Sequence, residues 1–284
     1  MQSSWMIVAS FLFACMGVCV KLATDVFSAP EIVFYRSAIS LAVMFVVIRL
    51  RGIPIATPNW GFQLWRGASG FVSLLLHFYA VSMLPLALAV TLAYTSPLFL
   101  AVYLAWFGKA RLGRGMLAAL AIGFVGVALL LRPTFNADQM LGGLLGLCGG
   151  MLAGLAYYNV KELGLRGESE ERTVFYFALL CTVASGAWMS ISEFHRVDQH
   201  GGMLLLGVGV FGTAAQLAMT RAYKRGNTLV AASMAYSTVI FASILGMLVW
   251  QETLSLGAWL AIALIVASGV VSTWFSRANP AEQD

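Results

Sequence analysis

From Leu86 to Phe107 the chain reads LALAVTLAYTSPLFLAVYLAWF, an uncharged run long enough to cross a bilayer as a helix, with Thr91, Tyr94, Thr95, Ser96 and Pro97 near its middle. Polar groups at that depth turn toward protein or water, so this run is expected to line an internal cavity. The pattern recurs 142 positions later, where Ser233, Tyr236, Ser237 and Thr238 take the places of Thr91, Tyr94, Thr95 and Ser96.

Apolar runs bounded by charges and turn residues predict spans near 4–22, 31–49, 67–84, 86–107, 113–132, 141–163, 173–194, 203–223, 228–250 and 256–276. Leu84-Pro85 supplies the break that divides the long neutral stretch between Arg66 and Lys109 into a hairpin. The expected fold is therefore all-α: a polytopic membrane protein of ten transmembrane helices. Its first segment is expected to remain a span, because MQSSW lacks the basic start of a signal peptide.

Composition agrees. With 60% hydrophobic and 10% charged residues, and a mean hydropathy of +0.86, the chain has too little charge for the surface of a water-soluble globule. The net charge of +5 does not point to nucleic acid, because the basic residues cluster at predicted helix ends. With the N-terminus inside, thirteen fall on the cytoplasmic side: Arg49, Arg51, Arg66, Lys109, Arg111, Arg114, Lys161, Arg166, Arg172, Arg221, Lys224, Arg225 and Arg277. Only Lys21, Arg132 and Arg196 fall outside. That bias places both termini in the cytoplasm and the protein in an inner, or plasma, membrane. Cys15, Cys19, Cys148 and Cys181 all lie in apolar segments, where packing rather than disulfide bonding is expected.

At the 142-residue offset Ala80 matches Ala222, Ala89 matches Ala231, Tyr94 matches Tyr236, Phe99 matches Phe241, Leu112 matches Leu254 and Gly115 matches Gly257. The sequence thus predicts two five-helix repeats, residues 1–135 and 136–284. Five is odd, so the second repeat enters the membrane from the opposite side, and a binding site is expected near the midplane between inverted halves.

Within the fourth and ninth spans, helical spacing puts Thr91, Tyr94 and Thr95 on one face and Ser233, Tyr236 and Ser237 on its counterpart. Tyrosine offers a flat apolar body with a polar tip, suited to an amphipathic or ring-bearing solute. Pro97 lacks an N–H, which frees the Ala93 carbonyl for a substrate, a water or a nearby hydroxyl. His77, inside the third span, is either a substrate contact or a neutral interhelical hydrogen-bonder, and it leaves proton coupling open. Gln216 and Thr220 lie one turn apart in the eighth span, and Tyr158 follows a ridge of Gly142, Gly146, Gly150 and Gly154 that favours close helix packing. Arg36, more than a turn inside the second span, is expected to pair with Glu31 or Glu252 or to snorkel. Lys21 and Lys161 are expected to anchor, or to gate, opposite faces of the bundle.

No span carries a carboxylate at its middle, and metal-spaced His/Cys clusters, phosphate loops and nucleophile elbows are missing, so neither a metal nor a cofactor is expected and catalysis has no visible machinery. Trp5 and Lys21, Phe34 to Arg36, Ala93 to Leu98, Trp250-Gln251-Glu252 and Leu256-Gly257-Ala258 together resemble the drug/metabolite transporter superfamily, in its EamA type, over essentially the whole chain. Two departures stand out. The glutamate of that family just past the fourth span is replaced here by Lys109-Ala110-Arg111 and kept only as Glu252, and Val239 occupies the place of Pro97. The resemblance implies a secondary transporter exporting or exchanging amino acids, their derivatives, nucleoside-like cofactors or drugs by alternating access. Its partners would be a small-molecule substrate and the lipid bilayer. An integral-membrane enzyme, and a channel or scaffold, are the alternatives.

Overall fold

The computed structural model describes residues 2–84, 86–108, 113–131, 140–190, 195–251 and 256–278. A 3₁₀ turn at Gln2–Ser4 leads into α1 (Trp5–Ala23), α2 (Ala29–Leu50), α3 (Trp60–Met83), α4 (Leu86–Ala93), α5 (Ser96–Trp106) and α6 (Arg114–Leu131). There follow α7 (Met140–Leu165), α8 (Glu170–Met189), α9 (Gln199–Arg225), α10 (Thr228–Ala235), α11 (Ser237–Trp250) and α12 (Leu256–Ala278). The protein is an all-helical, multi-pass membrane protein. Seven of its helical segments are long and apolar enough to cross a bilayer, and Val90–Trp106 and Arg114–Leu129 are shorter apolar helices. Large apolar side chains such as Phe45, Val183, Leu248 and Val270 face outward, as a lipid-facing surface requires.

Local chemistry explains the helix ends. Ser28 and Glu31 form a capping box at the start of α2, with Pro30 in its first turn. Ser169, Asp198 and Asn227 accept backbone N–H groups at the starts of α8, α9 and α10. Gln251, at φ 55, closes α11 in the left-handed conformation. The apolar runs become helices close to their expected limits, except that 86–107 and 228–250 are each split in two and α3 begins at Trp60 rather than at residue 67. Arg66, expected at a membrane boundary, thereby lies inside the helix and is 3% exposed. Pro85, Lys109, Arg111, Arg132 and Glu252 lie outside the described residues.

The helices pack chiefly in four pairs that are distant in sequence: α1 with α9, α2 with α8, α3 with α7 and α6 with α12. Their core is built on Leu100, Leu104, Leu120, Val160, Tyr223 and Tyr236. At one end of the bundle the α2–α3 loop is tied to the α7–α8 loop. Buried Glu168 accepts hydrogen bonds from Thr57 and from Asn59 at 2.8 Å and pairs with Arg172 at 3.3 Å. Lys224, at the end of α9, donates to the carbonyls of Glu168 and Ser169 and to the Thr173 hydroxyl at 2.6–3.2 Å.

Candidate functional site

Two helix breaks organise the interior. Between α4 and α5, Thr95 N donates to Leu92 O at 3.1 Å and Leu98 N to Thr95 O at 3.0 Å, three residues back instead of four. Between α10 and α11, Tyr236 N reaches Ser233 O at 3.3 Å and Val239 N reaches Tyr236 O at 3.1 Å in the same way. Side-chain hydroxyls bond to the carbonyls beside each break: Thr95 to Leu92 at 2.5 Å, Ser237 to Met234 at 2.7 Å and Thr238 to Ala235 at 2.8 Å. Pro97 is buried in the first turn of α5. The sequence ties a break to Pro97 alone, yet the structure breaks both segments, and Val239 stands at the second. Hydroxyl-bonded tightening accompanies both breaks, while proline accompanies one.

At these breaks Tyr94 and Tyr236 meet, their ring centroids 6.2 Å apart and tilted by 52°. The Tyr94 hydroxyl pairs with the side chain of Thr238. Tyr236 is fully buried, its ring set against Gly123 of α6, where a Cβ would lie 2.5 Å from the ring. Beside them Tyr157 of α7 stacks on Tyr223 of α9, with centroids 5.0 Å apart and planes 22° from parallel. Tyr223 and Tyr236 belong to one buried cluster, and Tyr94 and Tyr157 pack against it. Four tyrosines from four parts of the chain thus form one continuous group.

In α1, α9 and the second break several buried polar atoms have no hydrogen-bond partner: Ser10 Oγ, Gln216 Nε2, Thr220 Oγ1 and Tyr236 Oη. Each such atom costs about 1–3 kcal/mol when left dry. Gln216 is 5% exposed and Thr220 0%, so both lie in the interior.

The glycine ridge of α7 packs directly on the first break. A Cβ at Gly150 would stand 2.3 Å from Thr95 Oγ1 and 2.6 Å from Leu92 O. One at Gly154 would stand 2.9 Å from Ser96 O, and those at Gly142 and Gly146 would collide with Leu84 and Leu92 at 2.8 Å. Close approach of α7 to α4 and α5 therefore requires glycine at these positions.

Other expected residues are placed elsewhere. Ser233 donates to Val230 O and pairs with Ser272 of α12 at 2.6 Å. With Ser237, Ile7 and Trp274 it lines a separate groove of about 470 Å³ on the outer face of α1, α10, α11 and α12. The equivalence with Thr91 and Thr95 assumes unbroken helices; here both serines line this groove while the Tyr236 ring meets Tyr94. Tyr158 points to Phe107 of α5, at 5.8 Å between centroids, and its neighbour Tyr157 faces the interior instead. Thr91 is buried in α4. His77 lies on α3 where that helix packs on α7 near Gly149. Lys21 is exposed at the end of α1, Lys161 is half-buried on α7, and Glu252 falls outside the described residues.

Arg36 requires a correction. Glu31 is not its partner, because that carboxylate accepts from Ser28 and pairs with His195 at 2.9 Å across the α8–α9 connection. The guanidinium instead borders a small cavity with Ser37, Ser40, Phe177, Ala178, Gly212 and Gln216. Sequence reasoning passed over Tyr223 and Arg66, and at the end of the glycine ridge it chose Tyr158 rather than its neighbour Tyr157 as the solute contact. For Arg66 a signal existed: Gln63, Arg66 and Gly70 recur at i, i+3 and i+7, marking one helical face.

A sequence model of the EamA-like transporter family matches this chain twice, over residues 2–132 and 140–274. The pseudopaline exporter CntI of Pseudomonas aeruginosa is 29% identical over 267 residues, covering 93% of this chain and 90% of that protein. A riboflavin transporter of Vibrio cholerae is 23% identical over 287 residues, covering 99% and 95%. A crystal structure superposes with a TM-score of 0.87 at 18% identity, covering 97% of this chain and 98% of the other, a likeness of fold.

Proposed function

The chain belongs to the EamA-like transporter family, and from that premise we propose that it is a secondary transporter moving a small organic, ring-bearing or amphipathic solute by alternating access. The observation that carries this reading is the meeting of Tyr94 and Tyr236 at two broken helices, beside buried polar atoms that lack partners. Broken helices beside a midplane site are how transporters expose backbone and side-chain groups to a solute.

In this reading residues 1–135 and 136–284 are the two inverted repeats. Support comes from the double family match and from the pairing of helices. Exchanging the repeats turns the α3–α7 pair into the α9–α1 pair, and each of α2–α8 and α6–α12 into itself. The end where the α2–α3 and α7–α8 loops meet faces the cytoplasm, as the excess of Lys and Arg there argues, in an inner or plasma membrane. Transport is export or exchange, in line with one relative being an exporter. Of the expected contacts, Tyr94, Gln216, Thr220 and Tyr236 form the solute site with Tyr157 and Tyr223. Thr95 holds the first break in shape through its bond to Leu92 O.

The test starts with a thermal-shift screen of the purified protein against metabolites, since only ligands that prefer the folded state stabilise it. Proteoliposome counterflow of the best hit then decides. Saturable flux lost in Tyr94→Ala/Tyr236→Ala supports the reading, and chemical conversion of the solute without flux overturns it.

A further inference from the structure

Two arginines, Arg36 of α2 and Arg66 of α3, flank Phe177 of α8. Arg66 is 3% exposed, and its Nε has no hydrogen-bond partner. Its guanidinium lies over the Phe177 ring at 4.0 Å from the centroid, and a Cβ at Gly70 would stand 2.5 Å from Nη1. Arg36 is partly buried, and a Cβ at Gly212 would lie 2.9 Å from its Nε. Phe177, whose ring lies under the Arg66 guanidinium, also lines the cavity that Arg36 borders. Glycine thus stands opposite each head group, and Phe177 is common to the surroundings of both.

Nothing among the described residues neutralises them. The described carboxylates are engaged elsewhere or exposed: Glu31 with His195, Glu162 with Arg166, Glu168 with Arg172, Glu170 with Arg225 and Glu171 with Arg51. Asp198 caps α9, and Asp25 is exposed in the α1–α2 connection. Two uncompensated cations in a low-dielectric interior are a standing cost to stability, removed most directly by an anion from outside the protein.

We propose that Arg36 and Arg66, with the Gln216 amide, form the subsite that takes the carboxylate of the transported solute, whose ring or apolar body lies on the tyrosine group. This rests on the transport reading and narrows its substrate class to organic acids and zwitterions. The guanidinium fork matches a planar carboxylate in two parallel hydrogen bonds, which a lysine would not do. The Gln216 Nε2 hydrogens, without a partner here, supply a further donor at the same cavity. That cavity measures about 10 Å³, roughly the space of one water. The carboxylate therefore enters as the bundle opens around it.

Thermal unfolding of the purified full chain tests this, with sodium benzoate as the probe, phenylphosphonate as the phosphate-type anion, benzamide as the neutral isostere and sodium chloride at matched ionic strength. Benzoate is expected to raise the midpoint by several degrees and benzamide and chloride to leave it unmoved. A response to phenylphosphonate alone would reject the carboxylate assignment. Arg36→Gln and Arg66→Gln are expected to abolish the benzoate shift while melting, without anion, at or above the wild-type midpoint, since each removes an uncompensated charge. Variants that melt well below wild type without anion would make the arginines structural and overturn the proposal, as would equal responses to benzoate and benzamide, or no response to either. Failure of the transport reading looks different: an anion shift with no counterflow leaves the subsite standing. Flux of a carboxylate-free solute that is unaffected by Arg66→Gln removes the subsite and keeps transport.

Discussion

The rings of Tyr94 and Tyr236 meet 6.2 Å apart, each at the point where an otherwise continuous apolar segment breaks. The two residues are 142 positions apart, the offset at which the sequence pattern of this stretch recurs. Their surroundings differ: Tyr94 pairs with Thr238, whereas the Tyr236 hydroxyl is buried without a partner. A group left unsatisfied in the folded state is held for something that the described residues do not supply.

Tyr236→Phe removes that unsatisfied oxygen. Its effect on thermal stability is expected to lie between neutral and about 1 kcal/mol stabilising, with solute affinity reduced about tenfold through loss of one hydrogen bond. A loss of stability would show that the hydroxyl has a structural partner. Tm and solute titration of the purified variant provide the two measurements.

Gly150→Ala is expected to cost about 2–3 kcal/mol by overpacking, because its Cβ would fall on Thr95 Oγ1 and Leu92 O. Gly149→Ala, one residue away, meets nothing nearer than Ser73 O at 3.4 Å and is expected to stay within about 0.5 kcal/mol of wild type. Denaturation of the two variants side by side checks whether the ridge acts through the first break.

Since α10 and α11 separate without a proline, Pro97→Ala is expected to leave the break in place and counterflow within about twofold of wild type. Thr95→Val, which removes the bond to Leu92 O, is expected to destabilise by about 1 kcal/mol. A Pro97→Ala protein that has lost all flux would return the break to the proline.

Where the spans run was legible in the sequence, because a bilayer demands long neutral runs and the chain has few charges to obscure them. The tyrosine pair was legible through the repeat. What stayed hidden depended on rotation about helix axes and on one helix end. Ser233 and Ser237 share a face with Tyr236 only in an unbroken helix, and no motif in TLVAASMAYSTVI marks the turn. Tyr157 and Tyr158 are adjacent, so sequence alone gives no reason to prefer the one that faces Tyr223. Arg66 stands at the edge of an apolar run, where a cation ordinarily marks the membrane boundary. The extra turns of α3 back to Trp60 carry it inside.

Glu168 joins the α2–α3 loop to the α7–α8 loop through Thr57, Asn59 and Arg172. Glu168→Gln leaves the largely buried Arg172 uncompensated and is expected to cost about 3 kcal/mol at that end of the bundle. Hydrogen exchange should rise selectively over residues 53–63 and 166–173. Unchanged protection there would mean that the two loops are held by other contacts.

The account rests most heavily on a solute site between Tyr94 and Tyr236, and counterflow in proteoliposomes of the solute that best stabilises the purified protein tests it directly. Saturable flux in the wild type, lost in Tyr94→Ala/Tyr236→Ala while the variant remains folded and correctly inserted, is the predicted result. Undiminished flux in that double variant would contradict it.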